Sequence, residues 1–189
     1  MALAPDRRWQ RFTDTSYRCP CCGKPVQGVL DVGYDHPDAW PHISFRKNGG
    51  TVAVGQDVLM ADFCSIGDQF YLRGLLSLPI RDTEAQFAFG PWARVEPETF
   101  RAYHTAFGTE KETDLGIHSG WLANDLPDFP DSIDLQLSIH FVGGSERPQF
   151  VMGTRSALEQ TQSQGISFDR LLDIYATFGH DLRPHLGEA

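Results

Sequence analysis

Residues 133–141 read Ile-Asp-Leu-Gln-Leu-Ser-Ile-His-Phe, apolar at every odd number and polar at every even one. A two-residue period of this length fits a pleated strand with one face on a core and the other turned away. The same period runs through Phe70, Leu72, Leu76, Leu78 and Ile80, with Gly74 among them. It resumes at Phe87, Phe89, Ala93 and Val95 after the turn residues 81–85. Residues 57–95 are therefore expected to supply two antiparallel neighbours, with Gly90 and Pro91 at a bulge or kink. A further short strand is expected at 149–152, beyond the Gly143-Gly144 turn.

Helical signals frame these strands. Pro97 fits a first helical turn, and Phe100, Tyr103, Ala106 and Phe107 form a stripe that stops at Gly108. A helix is expected from about Ser156 to Gln164, ending at Gly165. Another follows Ser167 as N-cap, with Phe168, Leu171, Leu172, Tyr175 and Phe178 on one stripe and Gly179 past its end. Strands that precede most of the helices predict an α+β fold, a mainly antiparallel sheet with helices packed on one face. Residues 26–55 and 109–132 carry turn chemistry and predict loops.

A chain of 189 residues is long enough for one full core, so residues 19–185 are expected to form a single α+β domain. Residues 1–18 are expected to be an extended lead-in, with Arg7, Arg8 and Arg11 on a mobile arm or docking segment. The formal net charge of −9 opposes phosphate backbones and anionic membrane surfaces, so neither nucleic acid nor a membrane is an expected partner. Residues 1–10 lack the apolar stretch of a signal peptide, and no window approaches the roughly 20 apolar residues of a membrane span. The expected compartment is cytoplasmic, where clustered cysteines serve as metal ligands, redox groups or buried thiols rather than stable disulfides.

Three of the four cysteines fall within residues 19–22. Cys19 and Cys22 have the C-x-x-C spacing that lets one tight turn aim two sulfurs at a tetrahedral ion. Pro20 presets the turn, and Gly23 suits the left-handed conformation after the second ligand. Residues 19–25 thus resemble a zinc knuckle by local chemistry, with Cys21 pointing away. Metal ligation ranks ahead of simple packing, and both rank ahead of a redox pair, because Lys24-Pro25-Val26 is a poor helix start. Cys64 is the natural third ligand. The fourth is open among His36, His140, the other histidines, a carboxylate and water; water would leave a position for catalysis.

Other candidates are less specific. Asp35, His36 and Asp38 share a turn-rich loop that is expected to be solvated. Trp92, Trp121 and His140 are candidate pocket residues, His140 lying on the polar face of the clearest strand. Signatures of phosphate-binding loops, dinucleotide folds, zinc proteases and serine hydrolases are all missing. The first functional expectation is a binding or adaptor module with a structural zinc, its partner another protein. One subclass is an immunity-type protein that neutralises a basic partner. The alternative is a metal-dependent hydrolase-like enzyme with an open zinc position and His140 or Asp62 as acid or base.

Several short motifs extend over most of the chain: C-x-x-C-G at Cys19, D-x-C-x-I at Asp62, F-x-x-R-G at Phe70 and G-x-W-x-x-V at Gly90. With them go GWL at Gly120, Leu126-Pro127, His140, Arg147-Pro148 and Gly165-Ile166. With these the chain resembles a family of small bacterial proteins catalogued only as a domain of unknown function. The resemblance implies that Cys64 belongs with the N-terminal pair, and it brings no assigned activity. Members often carry a histidine three residues after C-G, where Val26 stands, and another near Ser156 and Ala157. If either histidine is a metal ligand in relatives, the resemblance implies that this chain completes the site differently or binds no metal.

Overall fold

The structure is a computed structural model, and it describes residues 6–20, 23–25, 28–43, 50–144, 146–153 and 156–186. Its strands are β1 (Val32–Gly33), β2 (Val52–Val54), β3 (Asp57–Leu59), β4 (Phe63–Ile66), β5 (Gln69–Arg73), β6 (Leu76–Pro79), β7 (Gln86–Gly90), β8 (Trp92–Val95), β9 (Ile117–Leu122), β10 (Gln136–His140) and β11 (Gln149–Met152). The helices are α1 (Arg7–Phe12), α2 (Pro97–Ala106), α3 (Ala157–Gln164), α4 (Phe168–Thr177) and α5 (Arg183–Leu186). A 3-10 helix covers Glu110–Leu115. The fold is α+β, as the strand and helix periods predict.

Eight strands form one antiparallel sheet in the order β11-β10-β9-β8-β5-β4-β3-β2. A second sheet has the order β1-β7-β6, with β1 parallel to β7 and β6 antiparallel to it. Two of the crossings between the sheets, β5 to β6 and β7 to β8, fall where the sequence keeps an unbroken two-residue period. Gly74 separates β5 from β6, and its N–H donates to Pro91 O at 3.0 Å. Pro91, which has no N–H for a ladder, separates β7 from β8. The period of two continues across both breaks because both sheets bury the same side.

That side holds the main core. Leu72, Ala93, Val95, Leu122, Leu137, Ile139 and Phe150 of the large sheet join Leu76, Leu78, Phe87 and Phe89 of the small one. The buried residues Phe12, Tyr103, Leu158, Leu171 and Leu186 bring all five helices to the same cluster. Register places the opposite residues on the other face, where Leu59, Cys64, Tyr71 and Trp92 pack beneath Trp40 and Ala123 as a second cluster.

Several segments depart from expectation. Residues 7–12 form a helix, not an extended lead-in: Asp6 caps it by accepting from Arg8 N at 2.8 Å, and Phe12 is fully buried. Trp9 and Phe12 both contact the Phe168 ring, so α1 is docked on α4. Strands β1 and β2 lie in residues 26–55 and β9 in residues 109–132, stretches expected to be loops. Among the described residues no helix is long and apolar enough to cross a membrane.

Candidate functional site

The cysteine turn is closed by its own backbone. Cys19 N donates to Lys24 O at 2.8 Å, Gly23 N donates to Cys19 O at 2.7 Å, and Arg18 bridges to Pro25. Gly23 takes φ 71°, the left-handed conformation expected of it. The turn presents Cys19 inward, 4 % exposed. Cys21 and Cys22 lie outside the described residues.

Facing Cys19 is a residue that spacing does not reveal. Helix α4 ends at Thr177 with Phe178 as its C-cap, and Gly179 follows with φ 82°. Gly179 N donates to Ala176 O at 3.0 Å and His180 N to Tyr175 O at 2.9 Å, the paired bonds of a Schellman motif. This cap fixes the backbone of His180 and sets its Nδ1 at 3.6 Å from Cys19 Sγ, across 161 residues of sequence.

Cys19 and His180 border one cavity of about 460 Å3. Its walls are mostly apolar: Pro25 from the cysteine turn, Leu30 and Val32 from the β1 segment, Phe178 and Leu182 from the C-terminal segment. Lys24 and Asp31 add charge. Tyr175 ties two walls together, since its hydroxyl donates to Leu30 O at 3.0 Å and accepts from Leu30 N at 2.8 Å. Burial, more than the nearby Asp31 charge, pushes the Tyr175 phenol well above its ordinary pKa of 10. Asp31 Oδ1 accepts from Ala88 N at 2.8 Å, which fixes the β1 side.

The structure does not bring Cys64 to Cys19. Cys64 is on β4 and packs with Trp40, Tyr71 and Trp92, whereas Cys19 belongs to the helix-side core. Alternation explains the separation: Phe63 points at α2, packing edge-on to Phe100 and tilted against Tyr103, so its neighbour Cys64 points the other way. Among the described residues no three His, Cys, Asp or Glu side chains stand together as a metal cluster.

Trp92, Trp121 and His140 share one sheet face but not one pocket. Trp92 is fully buried, its indole N–H donating to Tyr34 O at 3.1 Å and its backbone N–H to Asn124 Oδ1 at 2.8 Å. Trp121 lies under the Arg94 guanidinium, 5.0 Å from the ring centre. Trp121 pairs with Gln136, while His140, four residues further along β10, pairs with Ile117 and Gln149. That offset is roughly 13 Å along the strand.

The acidic loop is a clasp more than a solvated turn. Asp38 accepts from Asn124 Nδ2 at 2.7 Å and from Asp125 N at 2.7 Å, and His36 Nδ1 contacts Pro37 O at 2.9 Å. Asp62 is held by Arg147 Nε at 2.6 Å, joining the start of β4 to the segment before β11.

The profile of a family described as "uncharacterized protein conserved in bacteria" (DUF2199) matches residues 18–166. No curated protein and no solved structure matches the chain.

Proposed function

The chain belongs to this family of uncharacterised bacterial proteins, and we propose that it is a binding module whose cysteine turn is stapled to the end of α4 by a zinc ion. Cys19 and His180 are two of the donors, and Cys22 enters as a third by its C-x-x-C spacing alone. One observation carries the reading: the separation of 3.6 Å between Cys19 Sγ and His180 Nδ1. Bonds of about 2.3 Å to sulfur and 2.0–2.1 Å to nitrogen at a tetrahedral angle place two such donors about 3.6 Å apart. A thiol–imidazole hydrogen bond has a similar length, so the discriminating quantity is the metal itself.

The ion's role in this reading is to join segments that few backbone bonds connect, the turn at one end of the chain and the helix cap near the other. The binding surface is the adjoining cavity, whose apolar lining and few polar groups are those of a ligand or side-chain pocket. A chelator titration followed by thermal unfolding tests this. Chelation should lower Tm in the wild-type chain and in Cys64→Ser by the same amount, and should have no effect on His180→Ala. Equal Tm values for wild type with and without chelator would oppose the staple.

A further inference from the structure

We propose that a second cavity, between the end of α1, the segment that leads into the cysteine turn, and α5, binds the phosphoryl group of a small phosphomonoester with a hydroxylated body. The site does not depend on the zinc reading above.

Its cations are ones that the chain leaves without a carboxylate. Acidic residues outnumber basic ones by 25 to 16, and Arg8, Arg94, Arg101, Arg147, Arg170 and Arg183 each pair with an aspartate or glutamate. Arg11 and Arg18 pair with no carboxylate among the described residues, and both border one cavity of about 430 Å3 together with His185. The carboxylate among the described lining groups is Asp14, and its Oδ1 already accepts from Ser16 N at 2.8 Å and Ser16 Oγ at 2.6 Å. Two guanidinium forks against one carboxylate engaged in its own turn make a locally positive concavity in an acidic chain.

The backbone holds these groups in place. Arg11 is in the last turn of α1, which packs against α5, the carrier of His185. Thr13 N donates to Trp9 O at 3.0 Å, Asp14 N to Arg11 O at 3.2 Å and Tyr17 N to Asp14 O at 2.9 Å, closing the turn between the two arginines. Arg18 bridges to Pro25, and its guanidinium donates once, to Gly23 O at 3.4 Å. Little backbone ordering is therefore required on binding.

The lining selects the ligand. A terminal phosphoryl group brings three strong acceptor oxygens and close to two negative charges, which two forks and an imidazole match better than they match one carboxylate. A nucleic acid or an anionic membrane would set many further charges against the acidic surface. A single phosphoryl group responds mainly to charges within a Debye length of about 8 Å. Asp14 and Ser16 place more polar groups beside the cations, so a hydroxylated body fits this cavity better than an apolar one.

Calorimetric titration of the full chain with glucose 6-phosphate at low salt tests the site, with glucose, inorganic phosphate and a phosphoserine peptide as comparison ligands. One saturable site for glucose 6-phosphate is expected, with no binding of glucose and weaker binding of the other two. Arg11 and Arg18 are exposed, so Arg11→Gln and Arg18→Gln should keep the wild-type Tm, and each should weaken binding at least about tenfold. Arg101→Gln removes the same charge from α2 and should bind as wild type. Equal weakening in all three variants reduces the effect to net charge and overturns the site, as does a chain that binds none of the phosphates. Inorganic phosphate bound as tightly as glucose 6-phosphate overturns the hydroxylated body, and a tighter phosphoserine peptide overturns the small molecule as the source of the phosphoryl group.

Discussion

The ring of Phe150 lies against the α-carbon of Gly74, so closely that a β-carbon added there would stand 2.3 Å from the ring. Gly74 is where the chain leaves the large sheet for the small one, and Phe150 on β11 closes the seam, its N–H donating to Leu75 O at 2.7 Å. Gly74→Ala must displace a ring that is 1 % exposed. It should cost about 1–3 kcal/mol or more, read as a lower urea midpoint. Phe150→Leu in the same chain should return part of that loss, and additive costs of the two substitutions would contradict the contact.

Helix α1 is part of the core. Phe12 is fully buried against Phe168 and Tyr175, so Phe12→Ala should destabilise by about 3–5 kcal/mol. A mobile arm would give a change within about 0.5 kcal/mol. Denaturant unfolding of the two chains decides between them.

Alkaline pH should unfold the protein through its buried phenols. Burial raises the pKa values of Tyr34, Tyr103 and Tyr175 in the folded chain above the ordinary 10. A phenol whose folded pKa is raised keeps its proton in the native state while the unfolded chain releases it. The stability is thus fully present below about pH 10 and falls as pH rises beyond it. Tyrosinate absorbance should appear together with loss of the circular dichroism signal. Ionisation of all five tyrosines in a chain that stays folded would contradict the burial.

Gly179 links helix chemistry to the site. Its φ of 82° belongs to the left-handed region that a β-carbon disfavours. Gly179→Ala should cost about 1 kcal/mol and, by shifting His180, should weaken metal binding. A chelator competition measures the second effect; unchanged metal affinity would separate the cap from the site.

The sheet, the later helices and their ends were legible because they rest on local rules: period two at residues 133–141, Ser167 as N-cap, Gly165 and Gly179 past the helix ends. The division into two sheets was not, because Gly74 and Pro91 interrupt pairing without interrupting the apolar period. Strand β9 escaped notice because Ile117 is 66 % exposed and Gly120 occupies a core-facing position, where a β-carbon would stand 2.9 Å from Ile139. The pairing of Cys19 with His180 is a tertiary contact with no spacing signature. The single local hint was a histidine directly after the glycine that ends α4. Cys64 was a natural partner by residue type, and strand alternation turns it to the opposite face.

The central claim is that Cys19 and His180 grip one ion. Metal content of the purified full chain, measured with Cys19→Ser, His180→Ala and Cys64→Ser, tests it most directly. The account predicts about one zinc per chain in wild type and in Cys64→Ser, with most of it lost in the other two. Wild-type protein without zinc, or His180→Ala that retains it with unchanged affinity, would contradict the account.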